Sequence, residues 1–135
     1  MADEAVLVQL REATLFQVTV ANGTSIEKGT VLKWSADPNT AAASTADGDL
    51  FAGILAEEKV ASDGQTEVAV WRAHSVVTLK TSAGGTAVLG APVKIDGANL
   101  IDVADDDTIE NSGQVVGIAL ETGGNAEVIQ VLLGR

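Results

Sequence analysis

The chain has one histidine, His74, in the segment Trp71-Arg72-Ala73-His74-Ser75. A Ser-His-Asp arrangement would have to use that ring as its base, with Ser75 or another hydroxyl as nucleophile and a carboxylate to orient it. A histidine metal cluster is excluded, and so are thiolate chemistry and disulfides, because there is no cysteine. His74 falls between two predicted strands, which reads as a turn or interface histidine rather than a catalytic one. Asp105-Asp106-Asp107 with Glu110 is the densest acidic group and offers oxygen atoms of the kind calcium takes. Its spacing lacks the alternating acidic positions, turn glycine and terminal glutamate of an EF-hand loop, so it reads as a solvated turn. The glycine-containing turns contain neither a P-loop nor a GxGxxG between strand and helix, and no nucleotide site follows. The inventory predicts no enzyme and no cofactor.

The large aromatic residues are Phe16, Trp34, Phe51 and Trp71, and there is no tyrosine. Trp34 and Trp71 each end a predicted strand. Either can cap a core, anchor a subunit interface, where tryptophan is enriched among hot spots, or serve as a sugar platform. Core packing is favoured for at least one of them.

The elements that must position these residues are strands. Short runs rich in Val, Ile, Leu and Thr recur between clusters of Gly, Asp, Asn and Ser, and helical periodicity is absent. The clearest candidates are residues 14–20, 30–34, 50–56, 66–71, 75–81, 114–120 and 126–133. Phe16, Val18 and Val20 alternate with Gln17 and Thr19, as a half-buried strand requires. Asn22-Gly23, Asp47-Gly48, Asp63-Gly64, Gly84-Gly85, Asp96-Gly97 and Gly123-Gly124 mark chain reversals. Pro38 and Pro92 fall in a loop or at a strand start, where a missing amide donor costs little. Residues 35–49 read as a long connection rich in Ala and Ser.

Residues 1–13 stand apart. The run Ala5 to Leu10, interrupted only by Gln9, is either the first strand of the domain or an arm that adds a strand to a neighbouring chain. Residues 14–135 then form one β domain. Within it Gly29-Thr30-Val31-Leu32-Lys33 resembles Gly90-Ala91-Pro92-Val93-Lys94, Gly53-Ile54-Leu55-Ala56-Glu57 resembles Gly117-Ile118-Ala119-Leu120-Glu121, and Glu67-Val68-Ala69-Val70 resembles Glu127-Val128-Ile129-Gln130. The common order suggests two related β units, about 26–71 and 87–133.

Composition bounds the partners. The 135 residues suit a single domain with its own core, built from branched aliphatics that dominate a hydrophobic share of 46%. A net charge of −11 repels phosphate backbones and anionic lipid, so neither nucleic acid nor membrane is expected as partner. No stretch approaches the roughly 18 apolar residues of a membrane span, and Met1-Ala2-Asp3-Glu4 lacks the basic region of a signal peptide. Synthesis in the cytoplasm is expected.

The order Ile26-Glu27-Lys28-Gly29-Thr30-Val31-Leu32, Asp49-Leu50-Phe51-Ala52-Gly53-Ile54, Glu67-Val68-Ala69-Val70-Trp71, Gly90-Ala91-Pro92-Val93-Lys94 and Gly113-Gln114-Val115-Val116-Gly117-Ile118-Ala119 resembles the capsid cement, or head decoration, proteins of tailed phages. The likeness runs from about Thr14 to the C-terminus. It implies an all-β fold, a small β-barrel or β-tulip-like sandwich with short turns and an extended N-terminal arm. It also implies a homotrimer bound to the major capsid protein on the outer surface of an icosahedral virion, stabilising the shell. Arg72 and His74 depart from the plainer, glycine-containing segment the resemblance calls for. Candidate partner-contacting residues are Val6, Leu7, Val8 and Leu10 of the arm, with Trp71, Arg72 and His74. The alternative is a β-rich receptor- or carbohydrate-binding module.

Overall fold

In the computed structural model, which describes residues 3–10, 15–104 and 113–134, all regular structure is strand. The acidic group Asp105 to Asp107 with Glu110, and Thr14 at the start of the first predicted domain strand, lie outside the described residues. The expected all-β small-barrel fold is what the chain adopts.

A first ring is formed by β2 (Phe16–Thr19), β3 (Val31–Ala36), β4 (Thr40–Ala43), β5 (Phe51–Leu55) and β6 (Glu67–Trp71), closed in the order β2, β4, β3, β5, β6. Closure satisfies backbone groups that an open sheet would leave at its edges, except along β2 upstream of Thr19, where the pairing with β4 ends. A second ring is built from β7 (Ser75–Thr81), β9 (Pro92–Ile95), β10 (Leu100–Val103), β11 (Val115–Ala119) and β13 (Val128–Leu133) in the order β7, β10, β9, β11, β13, closed by pairing of β13 with β7. β1 (Val6–Leu10) lies antiparallel along β7. The short β8 (Thr86–Ala87) and β12 (Gly123–Gly124) pair with each other.

The rings share one winding. β2 meets β4 in parallel at Thr19 and Thr40, and β7 meets β10 in parallel at Lys80 and Leu100. Asn39 (φ 50°) precedes β4 and Asn99 (φ 59°) precedes β10, both in the left-handed turn conformation that asparagine tolerates. The similar sequence segments fall on β3 and β9, on β5 and β11, and on β6 and β13.

Two cores follow from strand alternation. Val18, Val20, Leu32, Ala52, Leu55, Val68 and Val70 fill the first ring, with Trp34 packed against them. Val31, Phe51, Ile54 and Trp71 project from the same strands into a second cluster with Val77, Leu79, Val93, Ile95, Ile101 and Ile129. β3 and β5 are therefore sandwiched between the ring interiors, which is why all of β5 is buried.

Polar groups seal this junction. The Val31 amide donates to Asn99 Oδ1 (2.8 Å), the Asn99 amide to Ser44 Oγ (3.2 Å), and Ser44 Oγ to the Gly97 carbonyl (3.0 Å). Lys94 pairs with Asp47 at 2.7 Å, and the hydrogen bond to Asp47 raises its pKa against the opposing effect of burial.

Residues 35–49 are not wholly a loop. β4 lies within them, pairing with β3 and burying Ala41, and the small size of alanine hid that alternation. Gly123-Gly124 forms β12 rather than a free reversal. Pro92 opens β9, where it lacks no needed donor.

Candidate partner-binding surface

The four large aromatic residues all lie on strands of the first ring. Phe16, at the start of β2, meets Trp34 of β3 edge to face, with ring centroids 6.4 Å apart and planes at 87°. Arg72, just after β6, places its guanidinium 5.8 Å from the Phe16 centroid and 5.7 Å from that of Phe51. Lys28 lies 5.7 Å over the Trp71 ring.

These cations differ from the others described. Lys33 pairs with Asp49, Lys59 with Asp63, Lys80 with Asp3 and Lys94 with Asp47. Among the described residues Lys28 and Arg72 form no ion pair and rest on aromatic faces instead. Arg72 is half-buried, and desolvation pushes its pKa down from the ordinary guanidinium value, leaving it cationic at neutral pH.

The residues just before Phe16 and Phe51 in sequence are exposed and apolar. Leu15 is 50% exposed, Phe16 41% and Leu50 42%. A groove of about 640 Å³ is lined by Trp34, Ser35, Ala36, Asp37, Asn39 and Leu50. A second, of about 480 Å³, runs between β1 and the Lys28–Trp71 pair and is lined by Glu4, Ala5, Val6, Leu7, Lys28 and Trp71. Hydrophobic exposure interleaved with desolvated arginine and tryptophan is the anatomy of a contact surface.

The candidate residues separate in space. Val6 and Val8 point outward, 61% and 41% exposed, whereas Leu7 packs against the second core. The Leu10 backbone pairs with Ser75. Trp71 is only 7% exposed and belongs to that core, though it also borders the second groove beside Val6 and Leu7. His74 is exposed in the turn before β7 at φ 73°, and its amide donates to the Leu133 carbonyl (3.0 Å). That left-handed φ is one glycine adopts readily and that histidine takes up at some cost. Leu15, Phe16 and Leu50 are not among the partner-contacting residues expected from sequence. Their signal was an apolar residue at the start of a strand, which reads there as core.

Ser75, the nucleophile that a His74 dyad would need, is fully buried. Among the described residues no group of three or more His, Cys, Asp or Glu side chains converges to hold a metal ion.

A scan against protein-family models finds no match, and a search of curated proteins finds none. Among solved structures the fold is similar to the head fiber gp8.5 N base of bacteriophage phi29. The TM-score is 0.54 at 13% identity, over 90% of this chain and 94% of that one.

Proposed function

We propose that this chain is a structural virion protein that binds the outer surface of an icosahedral phage head as a homotrimer and stabilises the shell. The observation that carries the reading is the likeness of fold, over nearly the whole of both chains, to a protein of a phage head. The ordered sequence resemblance to head decoration proteins points the same way.

The physical chemistry suits the role. An added subunit that bridges several capsid proteins gains avidity because each weak contact is repeated over the lattice. Well-packed aliphatic cores suit a mechanical role, and an acidic surface keeps a densely decorated particle dispersed. The exposed apolar surface around Phe16 and Arg72 supplies contact area, with Val6, Val8 and His74 as further partner-contacting residues. We take the two rings as related units of one domain, with β1 as its first strand.

Mass by light scattering, followed by sedimentation with heads lacking their decoration, tests this reading. A trimer, or a monomer that becomes trimeric on heads, supports it. A monomer that pellets with no heads overturns it. The groove beside Trp34 favours a second reading, a glycan-binding module, which predicts a saturable change in tryptophan fluorescence on titration with a glycan.

A further inference from the structure

The two rings differ at one equivalent place. In the second ring β7 diverges from β10 upstream of Lys80, and β1 fills the gap, with Leu7 opposite Val77 and Val6 opposite Thr78. In the first ring β2 diverges from β4 upstream of Thr19, and no described strand takes the corresponding place. Counting back equally from Lys80 and Thr19 matches Val77 with Phe16 and Val76 with Leu15. The covered pair is 0% and 7% exposed; the uncovered pair is 41% and 50% exposed.

The open edge offers backbone groups. The Thr19 amide donates to the Asn39 carbonyl on the β4 side (2.9 Å), and by strand alternation the amide and carbonyl of Gln17 face that side too. The Gln17 carbonyl accepts a hydrogen bond from Asn39 Nδ2 (2.9 Å), while no described strand lies beside its amide. On the other side of β2, just after β6, Arg72 holds a half-desolvated guanidinium over the Phe16 ring, within reach of a side chain that crosses Phe16, and although the chain has 19 acidic residues, no described carboxylate pairs with it.

We infer that the open edge of β2 is a strand-acceptor slot for an extended segment of the shell protein, one with alternating apolar side chains and a carboxylate that reaches Arg72. The inference rests on the head-binding reading for the identity of the partner, and on the two rings alone for the slot. Backbone pairing with the edge supplies affinity, and Phe16, Leu15 and Arg72 supply selectivity. The segment that fills the equivalent gap has this chemistry: Asp3-Glu4-Ala5-Val6-Leu7-Val8-Gln9-Leu10 is acidic at its start and apolar thereafter except at Gln9.

A synthetic peptide of that sequence is the probe, titrated into the full chain labelled for amide exchange. Binding slows exchange of the Gln17 amide by about tenfold or more and shifts the Trp34 indole signal. Gln17→Pro removes the edge donor without touching the bonds to β6 and abolishes binding. Arg72→Gln, which leaves the backbone alone, weakens it about fivefold or more. An unchanged Gln17 amide at millimolar peptide, or equal binding by either variant, overturns the slot. With decoration-free heads, wild type that pellets together with an equally effective Gln17→Pro overturns the slot and leaves head binding standing. Wild type that pellets with no heads defeats the head reading, and the peptide titration still decides the slot.

Discussion

Asn99 of the second ring accepts the Val31 amide of the first through Oδ1 at 2.8 Å, and it does so while 1% exposed. That bond ties the β9–β10 turn to the strand shared between the two cores. Replacing Asn99 by Ala leaves a buried donor unsatisfied and places an alanine at φ 59°. Each effect costs about 1–3 kcal/mol. Urea denaturation should show a single transition moved to lower concentration, and an unchanged midpoint would mean that the junction contributes little.

β11 passes so close to β13 that a Cβ at Gly117 would collide with the Leu132 carbonyl, a backbone atom that has no rotamer to escape into. Gly117→Ala should therefore destabilise by about 3 kcal/mol or more, as overpacking at a strand crossing does. Gly23→Ala, where the same atom would meet nothing within 4 Å, should be nearly neutral. The contrast between the two melting temperatures is the readout.

Acid should weaken the fold through Asp49 and Asp63. Burial alone would raise the Asp49 pKa, but the amides of Thr45 and Ala46 together with Lys33 outweigh it and hold it below the ordinary value. Asp63 is lowered chiefly by its hydrogen bond from Lys59, whose Nζ also donates to the Asn22 and Val60 carbonyls. A carboxylate with a depressed folded pKa contributes stability above its unfolded value, near about 4, and loses it as pH falls through the folded one. The urea midpoint should be level above about pH 5 and drop below about pH 4. Asp49→Asn and Asp63→Asn should each flatten that drop.

Gly29 lets β1 dock. Its φ is 92°, a Cβ there would strike the Ala5 carbonyl, and the Ala5 amide donates to the Gly29 carbonyl at 2.6 Å. Gly29→Ala should loosen β1 from β7 and bare Val76 and Val77. The expected readouts are faster amide exchange across β1 and increased binding of a hydrophobic dye. Deleting residues through Leu10 should have the same effect more strongly, because Ala5 and Leu7 pack against the second core.

The ring strands were legible where alternation used large side chains, as at Phe16, Val18 and Val20 or at Val68 and Val70. β4 was hidden because Ala41, Ala42 and Ala43 carry too little contrast between faces to mark a strand. β9 and β10 are short, and their pairing across the asparagine turn is a tertiary feature that periodicity does not encode. Trp71 ends its strand as expected, yet only the second ring packed behind it decides that it is buried. The exposed apolar surface was the least legible feature, since Leu15 and Phe16 look like core residues until the strand that would cover them proves to be present in one ring and absent among the described strands of the other.

Electron cryomicroscopy of decoration-free heads mixed with the purified chain tests the head-binding claim most directly. The account predicts added density on the outside of the shell at three-fold and quasi-three-fold positions, into which three copies of the paired rings fit with the β2 edge toward the capsid protein. Heads whose surface is unchanged at saturating protein would contradict it.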